Sequence, residues 1–260
     1  MSSSFHWLPT GDLAFAAMLE TIQSAQQSVR LEMYIYHDCP IGNRFRVALT
    51  EAVRRGVRVQ VMLDGVGSLN LSDSFWGEFQ NSGGQLRWFN RDSIIRVGTR
   101  DHRKILVCDD AISFVGGLNI ATEYEGDGVT RGWYDLGMKI CGEFSLHLAA
   151  AFDHLFATAE ERLKTLARWR KKISPLRVGT TPEAELLLSK PGNLRNPLKR
   201  ALRRDFGNAK KVQLLCAYFF PTRRILAALR RIAQNGGKVQ LILAGKSDVA
   251  LSQMAARSLY

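Results

Sequence analysis

The stretch Asp101-His-Arg-Lys-Ile-Leu-Val-Cys-Asp-Asp110, with Ala111-Ile-Ser-Phe-Val-Gly-Gly-Leu-Asn119 after it, decides how this chain is interpreted. Together the two segments fit the pattern H-x-K-x4-D-x6-G-G-x-N. Side chains alternate between faces along a strand, so the pattern predicts that His102 and Lys104 point the same way while Ile105 and Val107 fill the other side. The sequence therefore predicts an imidazole and an ammonium that converge on one spot.

The remaining residues of the pattern suit a phosphate. Gly116 and Gly117 remove side chains where a backbone must turn tightly or a ligand must approach closely, and Asn119 presents an amide beside them. A histidine near its reference pKa is a competent nucleophile at neutral pH, and Lys104 can offset charge on the oxygens of a five-coordinate phosphorus. Each feature alone is common on exposed strands and turns, so the hypothesis depends on their combination.

A pattern of strand, helix and strand occurs twice, about 180 positions apart. Each copy has an apolar run rich in β-formers, a helical pattern closed by a glycine, and a second apolar run. The first copy comprises Ser28–Tyr36, Phe45–Arg54, Gly56 and Val57–Leu63, and the second comprises Lys211–Phe219, Ile225–Ile232, Gly236 and Val239–Leu243. Two chance segments would not keep their spacing through three elements, so the sequence predicts one βαβ unit written twice.

This repeat predicts an α/β fold in which a mixed or parallel sheet is flanked by helices. We expect a first module over residues 1–160, which holds the H-x-K motif, and a basic linker over residues 161–182. Residues 183–260 are then the N-terminal part of a second module that lacks the motif.

Charge is divided unevenly along the 260 residues, whose 36 Lys and Arg against 24 Asp and Glu give a net charge of +12. Residues 1–160 carry a net charge of −5, and residues 161–260 carry +17. This asymmetry indicates that the second part faces an anionic polymer or surface, the alternative being a basic surface kept for solubility. The hydrophobic fraction of 46% is that of a globular protein and excludes a disordered or fibrous chain.

Neither a membrane span nor a metal site is predicted. No segment reaches the roughly 18 apolar residues of a span, and Met1–Thr10 lacks the layout of a signal peptide, so we expect the chain to begin in the cytoplasm. The cysteines form no C-x-x-C pair and are expected to be reduced: Cys39, Cys108, Cys141 and Cys216. The other histidines have no metal-ligand spacing, so we expect no metal and no cofactor: His6, His37, His147 and His154.

The H-x-K-x4-D-x6-G-G-x-N pattern resembles the signature of the phospholipase D superfamily, and further segments resemble its bacterial cardiolipin synthases, in the subgroup without N-terminal transmembrane helices. These segments are Leu31-Glu-Met-Tyr-Ile-Tyr36, Ala52–Val59, Leu63-Asp-Gly-Val-Gly-Ser68, Gly116-Gly-Leu-Asn-Ile120, Glu123-Tyr124 and Trp133-Tyr-Asp135. Tyr218-Phe-Phe-Pro221 and Gly245-Lys-Ser-Asp248 to Ala256-Arg257 resemble the start of that family's second module. The resemblance covers nearly the whole chain.

The resemblance implies a mechanism without metal or cofactor. His102 would attack the phosphorus of phosphatidylglycerol and release glycerol, after which the hydroxyl of a second lipid attacks the phosphatidyl-histidine. Lys104 and Asn119, beside Gly116 and Gly117, would hold the phosphate.

Two carboxylates receive roles from the same resemblance. Asp109 would brace the strand and turn, and Asp135 would orient a catalytic histidine, the alternative being an ordinary exposed aspartate. The donor and acceptor lipids stay open.

Members of this family use two such motifs, and no other histidine in this sequence is followed two places later by lysine. A repeat of 180 positions would put the second histidine at about position 282, beyond Tyr260. We therefore expect a fragment of a longer enzyme that shows little transferase activity alone. The alternative is a homodimer that pairs two copies of His102.

The segment Phe144–Lys172 has helical spacing and a basic end. Tryptophan favours the bilayer interface and cations favour an anionic leaflet, so this end predicts a peripheral contact with the cytoplasmic side of the bacterial cytoplasmic membrane. The predicted contact residues are Arg168, Trp169, Arg170, Lys171 and Lys172. The alternative is a helix that packs on the first module and ends in a charged linker.

Two rival functions use the same residues. A nuclease of the superfamily, acting as a homodimer, would attack DNA phosphodiesters, but the E-x-Y-I and D-G-x-G-S segments argue against a nucleic-acid partner. A lipid-binding protein without turnover would bind anionic vesicles and keep that binding in His102→Ala.

Overall fold

The computed structural model describes residues 3–91, 100–164, 184–188 and 197–244. They form two compact units, and the first contains a seven-stranded sheet with four α-helices. Its elements are β1 (Ser4–Leu8), α1 (Gly11–Ser24), β2 (Ser28–Met33), α2 (Pro40–Arg54), β3 (Arg58–Asp64), α3 (Gly77–Asn81), β4 (Gln85–Phe89), β5 (Ile105–Cys108), β6 (Ile112–Gly116), β7 (Gly137–Cys141) and α4 (Glu143–Lys164). Short 3₁₀ helices span Asp73–Trp76 and Thr122–Tyr124.

The sheet is mixed, with the strand order β1-β7-β6-β5-β2-β3-β4. Strands β2, β3 and β4 are parallel, whereas β5 is antiparallel to β2, and β6, β7 and β1 continue antiparallel. Strand β5, which follows the H-x-K residues, pairs with β2 so that Glu32 lies opposite Ile105. The predicted α/β class with a mixed sheet is confirmed.

The first predicted βαβ unit is β2-α2-β3, whose strands pair in parallel from Ser28 opposite Arg58 to Met33 opposite Leu63. Helix α2 begins five residues before its predicted start, because Pro40 at the first turn has the φ angle a helix needs and no N–H to satisfy. The helix ends before Gly56, whose φ of +86° is the left-handed conformation expected after a C-cap.

Helices cover both faces of the sheet. Alternate residues of β2, Val29, Leu31 and Met33, belong to the larger core with α1 and α2. Phe152 and Phe156 of α4 pack with Met62 and Phe89 in a second cluster on the opposite face. The segment that begins at Phe144 is therefore a helix packed on the first unit as far as its side chains are described, as the alternative interpretation predicted.

The face of β2 that α4 covers is charged. Arg30 is 3% exposed, and its guanidinium donates to Asp153 of α4 at 2.7 Å and to Asp110 at 2.6 Å. An unpaired arginine at this depth would be costly, so the two carboxylates stabilise the packing of α4 on the sheet.

The second unit contains α5 (Pro197–Asn208), β8 (Lys211–Cys216), α6 (Arg223–Gln234) and β9 (Lys238–Leu243). Strands β8 and β9 pair in parallel through α6, so the second predicted βαβ unit is confirmed. Thr222 caps α6 by accepting a hydrogen bond from the Ile225 N–H, and Gly236 follows the helix with a φ of +79°.

Several predictions fall wholly or partly outside the described residues. The proposed membrane contact at residues 168–172 and the segment at residues 245–257 lie there, and so does most of the predicted linker at residues 161–182. The predicted module boundary at residue 160 lies within α4, which continues to Lys164. Among the described helices, none has both the length and the apolar character needed to cross a bilayer.

Candidate functional site

Five segments of the first unit bring their ends together at one edge of the sheet. The carboxyl ends of β2 and β3 lie there. Tyr34 directly follows β2, and Asp64 is the last residue of β3. Lys104 directly precedes the antiparallel strand β5, Gly116 ends β6, and Asp135 comes two residues before β7. Ligands of open α/β sheets bind beyond the carboxyl ends of parallel strands, so this edge is the candidate site.

His102 and Lys104 converge as predicted. The Lys104 Nζ lies 3.2 Å from the His102 Nδ1 and donates to the His102 carbonyl oxygen at 2.9 Å. They do not lie on the strand, however, because β5 begins only at Ile105. The hydrogen bond from the Lys104 Nζ to the His102 carbonyl oxygen holds the ammonium beside the imidazole.

The two groups differ in burial. Lys104 is 8% exposed, whereas His102 is an exposed residue. The described residues make no hydrogen bond to the His102 Nε2, so the nitrogen away from Lys104 is the one open to a ligand.

Tyr34 is a site residue to which the sequence analysis assigned no role. Its ring centroid lies 4.3 Å from that of His102, and the Lys104 Nζ lies 5.0 Å from the Tyr34 ring centroid. The aromatic ring thus supports the imidazole and faces the ammonium through its negative π-surface. The signal in the sequence was its place in Leu31-Glu-Met-Tyr-Ile-Tyr36, but the pairing of β2 with β5 was needed to find its partner.

Burial lowers the pKa of both basic groups. Partial burial, followed by the Lys104 charge, lowers the pKa of His102, which favours the neutral imidazole that can act as a nucleophile. Burial lowers the pKa of Lys104 to about 8, against the opposing charges of Asp135, Asp101 and Asp64. Lys104 therefore keeps its charge at pH 7 and loses it in mildly alkaline solution.

Asp135 belongs to the site through Lys104. A Cβ atom on Gly117 would lie only 2.1 Å from the Asp135 Oδ1, so the carboxylate sits directly against the glycine backbone. Burial raises the pKa of Asp135, while the Leu136 N–H and the Lys104 charge oppose that rise. Asp135 makes no hydrogen bond to His102 among the described residues, and its predicted role in orienting a catalytic histidine stays a prediction.

The glycine pair has a packing reason that the sequence did not reveal. A Cβ atom on Gly116 would lie 2.4 Å from the Leu136 carbonyl oxygen, as one on Gly117 would clash with Asp135. Neither glycine has a positive φ. Glycine is needed at these two positions because the segment before β7 approaches closely, not because the backbone turns tightly. The contact of the two glycines with a phosphate stays a prediction.

Asn119 holds the floor of the site. Its side chain is 2% exposed, the Oδ1 accepts from the Ile35 N–H at 3.0 Å, and the Nδ2 donates to the Tyr124 hydroxyl at 2.6 Å. These contacts tie the chain after β6 to the end of β2. For the predicted contact with phosphate, only the second N–H of the amide nitrogen is left.

Asp109 lies at the far end of β5, away from His102. Its carboxylate accepts hydrogen bonds of 2.8–2.9 Å from the backbone N–H groups of Gln26, Gln27 and Ser28. Burial alone would raise the pKa of Asp109, but these three donors outweigh it and hold the pKa below its usual value. Asp109 and Asp110 adopt left-handed φ angles of 52° and 56° in the turn to β6.

A buried network that the sequence analysis did not predict lies beneath the H-x-K segment. The Glu32 carboxylate is 0% exposed and accepts two hydrogen bonds from Arg103, at 2.5 and 3.0 Å. Asp64 accepts from the Asp101 N–H at 2.8 Å. Burial, with the Asp101 carboxylate, raises the pKa of Glu32 well above its usual value although Arg103 opposes the rise. These contacts fix the backbone on both sides of His102.

No group of three or more His, Cys, Asp or Glu side chains within the described residues is placed to hold a metal ion. All four cysteines are unpaired, and burial raises the pKa of the Cys108 thiol to about 12. The His102 imidazole, with the Lys104 ammonium beside it, can perform nucleophilic attack.

Comparison with known proteins gives a consistent set of relatives. Residues 18–128 match the family model described as "Cardiolipin synthase, PLD-like domain". Cardiolipin synthase B of Salmonella typhi is 34% identical over 263 residues, and cardiolipin synthase 1 of Bacillus anthracis is 30% identical over 267 residues. Both matches cover 97% of this chain but only 62% and 52% of those proteins, so the chain spans about half to three fifths of their length.

Among solved structures, phosphatidylserine synthase of Haemophilus influenzae Rd KW20 is similar in fold. The TM-score is 0.67 at 15% sequence identity, over 92% of this chain and 61% of that chain. At this identity the likeness concerns the fold alone, and it extends across both units of the chain.

Proposed function

Because this chain belongs to the phospholipase D superfamily, in the branch that includes bacterial cardiolipin synthases, we propose that it carries the nucleophilic module of a phosphatidyltransferase. The substrates are phosphatidylglycerol and a second phospholipid, and the products are cardiolipin and a small alcohol. The observation that carries the proposal is the contact between the Lys104 Nζ and the His102 Nδ1 at 3.2 Å, beside Asp135.

In the first step, neutral His102 carries its proton on Nδ1 and its Nε2 attacks the phosphorus of phosphatidylglycerol, while the Lys104 ammonium donates to the His102 carbonyl oxygen and to the phosphate. The bond from phosphorus to the glycerol oxygen breaks, and glycerol leaves with a proton from a general acid. Lys104 stabilises the negative charge on the non-bridging oxygens of the five-coordinate phosphorus. Asp135 keeps Lys104 charged at neutral pH by opposing the effect of burial on its pKa.

In the second step, the hydroxyl of the acceptor lipid attacks the phosphatidyl-histidine. The general acid of the first step now accepts the hydroxyl proton, and His102 leaves as a neutral imidazole. Gly116, Gly117 and the second N–H of Asn119 line the place of the phosphate in this proposal. The reaction is thus a double displacement on phosphorus that needs no metal.

The general acid must come from outside the described site. No second histidine in the sequence is followed two places later by lysine. We propose that it belongs to a second H-x-K motif, supplied by further chain or by a second copy. A lipid substrate places this work at a membrane surface, and we propose peripheral binding on the cytoplasmic side.

The test is to trap the intermediate on the chain. The chain is incubated with phosphatidylglycerol labelled in its phosphate and quenched with alkali, because phosphohistidine survives alkali and is cleaved by acid. We expect label on the peptide that contains His102, no label in His102→Ala, and wild-type labelling in the matched control His6→Ala on the exposed β1 strand.

Other outcomes separate the alternatives. Nicking of plasmid DNA without magnesium, with no label from phosphatidylglycerol, would contradict the proposal and favour a nuclease. Vesicle binding without label at any pH would favour a lipid-binding protein. Labelling together with a dimeric mass in light scattering would assign the second histidine to a second copy. A monomer that lacks its general acid, and is therefore labelled only slowly and forms no cardiolipin, would assign it to further chain.

A further inference from the structure

The second unit presents a basic face on α6. Its four arginines are all exposed: Arg223, Arg224, Arg230 and Arg231. Residues seven and eight positions apart lie on the same side of an α-helix, so the two pairs share one face, about two turns apart. We call this set the α6 basic face.

The opposite side of α6 is already occupied by the unit's own core. Leu229 and Ile232 are each 4% exposed and pack with Phe206, Val212 and Phe219. Because the apolar side covers the sheet, α6 has no free apolar stripe to insert into a partner. Any partner of the α6 basic face must therefore be recognised by charge.

The charge of this face is not neutralised within the described chain. Residues 197–244 contain eleven Lys and Arg but only one acidic residue, Asp205, which pairs with Arg204. None of the four α6 arginines has an ion pair among the described residues. Neighbouring α5 adds the exposed Arg200 and Arg203.

The repeated βαβ unit shows that the fold does not require this charge. In α2, the counterpart of α6 in the first unit, Arg46 pairs with Glu78, and Arg54 pairs with Glu51 and Glu78. The position of Glu51 is occupied 180 residues later by Arg231. In the first unit two of the three arginines of this helix pair with glutamates, whereas in the second unit none of the four has an ion pair among the described residues.

We propose that the α6 basic face binds the anionic surface of a phospholipid bilayer. The choice of a bilayer over other polyanions rests on the proposed function, whose substrate is an anionic lipid. Binding is electrostatic, because the exposed groups are guanidinium ions that pair with lipid phosphates. It weakens as salt screens the charges.

The test is vesicle flotation of the 260-residue chain, with Arg230→Gln/Arg231→Gln as the variant. Each basic residue near an anionic leaflet contributes about a fivefold change in affinity, so the double variant should bind about 30-fold more weakly. Arg44→Gln/Arg58→Gln removes two exposed arginines from the first unit and is the matched control. Circular dichroism of each variant verifies folding.

We expect wild type and control to float with vesicles of phosphatidylcholine and phosphatidylglycerol at low salt, and not with phosphatidylcholine alone. Equal flotation of the α6 variant and the control would overturn the proposal, as would preferential binding of duplex DNA over anionic vesicles. His102→Ala should float like wild type. If flotation depends on the α6 arginines but His102 is not labelled, the membrane-binding surface is supported and the proposed reaction is rejected.

Discussion

Replacing Gly117 with alanine should change the pKa of Lys104 without touching Lys104. The new Cβ atom would lie 2.1 Å from the Asp135 Oδ1, whereas ordinary contacts begin near 3.4 Å. The carboxylate must therefore retreat by more than 1 Å, which a terminal side-chain group can do without unfolding the sheet. Asp135 is the foremost charge that raises the pKa of Lys104, so its retreat should lower that pKa further.

The energy at stake follows from the position of this lysine. Burial lowers the pKa of Lys104 from 10.5 to about 8. That shift corresponds to about 3 kcal/mol against the charged form. At pH 7 about nine tenths of the Lys104 side chains are charged, since the pH lies one unit below the pKa. Any weakening of the attraction between Asp135 and Lys104 lowers the pH at which Lys104 loses its charge.

The measurement is a ¹³C NMR titration of protein labelled at the lysine ε-carbon. The Lys104 resonance is assigned by its absence in Lys104→Arg. We expect a midpoint near pH 8 in wild type, and lower midpoints in Asp135→Asn and in Gly117→Ala. The double variant should match Asp135→Asn, because both changes act through one carboxylate.

Two results would refute this reasoning. A wild-type midpoint near the ordinary lysine value of about 10.4 would show that Lys104 is not desolvated. A Gly117→Ala midpoint equal to wild type, in a protein of unchanged thermal stability, would show that Asp135 does not act on Lys104. Chemistry that depends on charged Lys104 should correspondingly fall above pH 8, and Lys104→Arg should move that decline to higher pH.

The remaining predictions concern the support of the site. Tyr34→Ala removes an aromatic contact worth about 0.5–1.5 kcal/mol and a cation–π contact worth about 0.5–1 kcal/mol. Labelling of His102 should therefore slow about tenfold. Tyr34→Phe keeps the ring and should behave like wild type. Asp109→Asn should lower the free energy of unfolding at pH 7 by about 1–3 kcal/mol, measured by urea and tryptophan fluorescence. Because the folded-state pKa of Asp109 is lowered, its contribution is present above the ordinary value near 4 and is lost on acidification, so wild type and variant should converge at low pH. If Tyr34→Phe is not labelled, the Tyr34 prediction is wrong. If wild type and Asp109→Asn still differ in the free energy of unfolding in acid, the Asp109 prediction is wrong.

The placement of the charged groups explains why the site tolerates a buried ammonium. The charged form of Lys104 is favoured by three carboxylates from different segments of the chain, those of Asp135, Asp101 and Asp64. Glu32 and Arg103 form a buried pair that also reaches Asp101, because the Arg103 Nε lies 3.6 Å from the Asp101 Oδ1. Removing either partner of that pair would leave an uncompensated buried charge.

What the sequence determined by itself was local or periodic. The apolar runs and the glycine after each helix predicted both βαβ units, and the spacing from His102 to Asn119 predicted that the His102 and Lys104 side chains converge. These signals are readable because strand and helix periods and turn chemistry depend on neighbouring residues.

Only the tertiary structure decided which distant side chains complete the site. Tyr34 contacts His102 because β5 pairs with β2 across 71 intervening residues, a pairing that no local pattern encodes. Gly117 is small because Asp135 packs against it, and Asp135 faces Lys104 because β7 pairs with β6. Strand order in a mixed sheet is fixed by how the helices and buried faces pack together, and that packing is a property of the whole first unit.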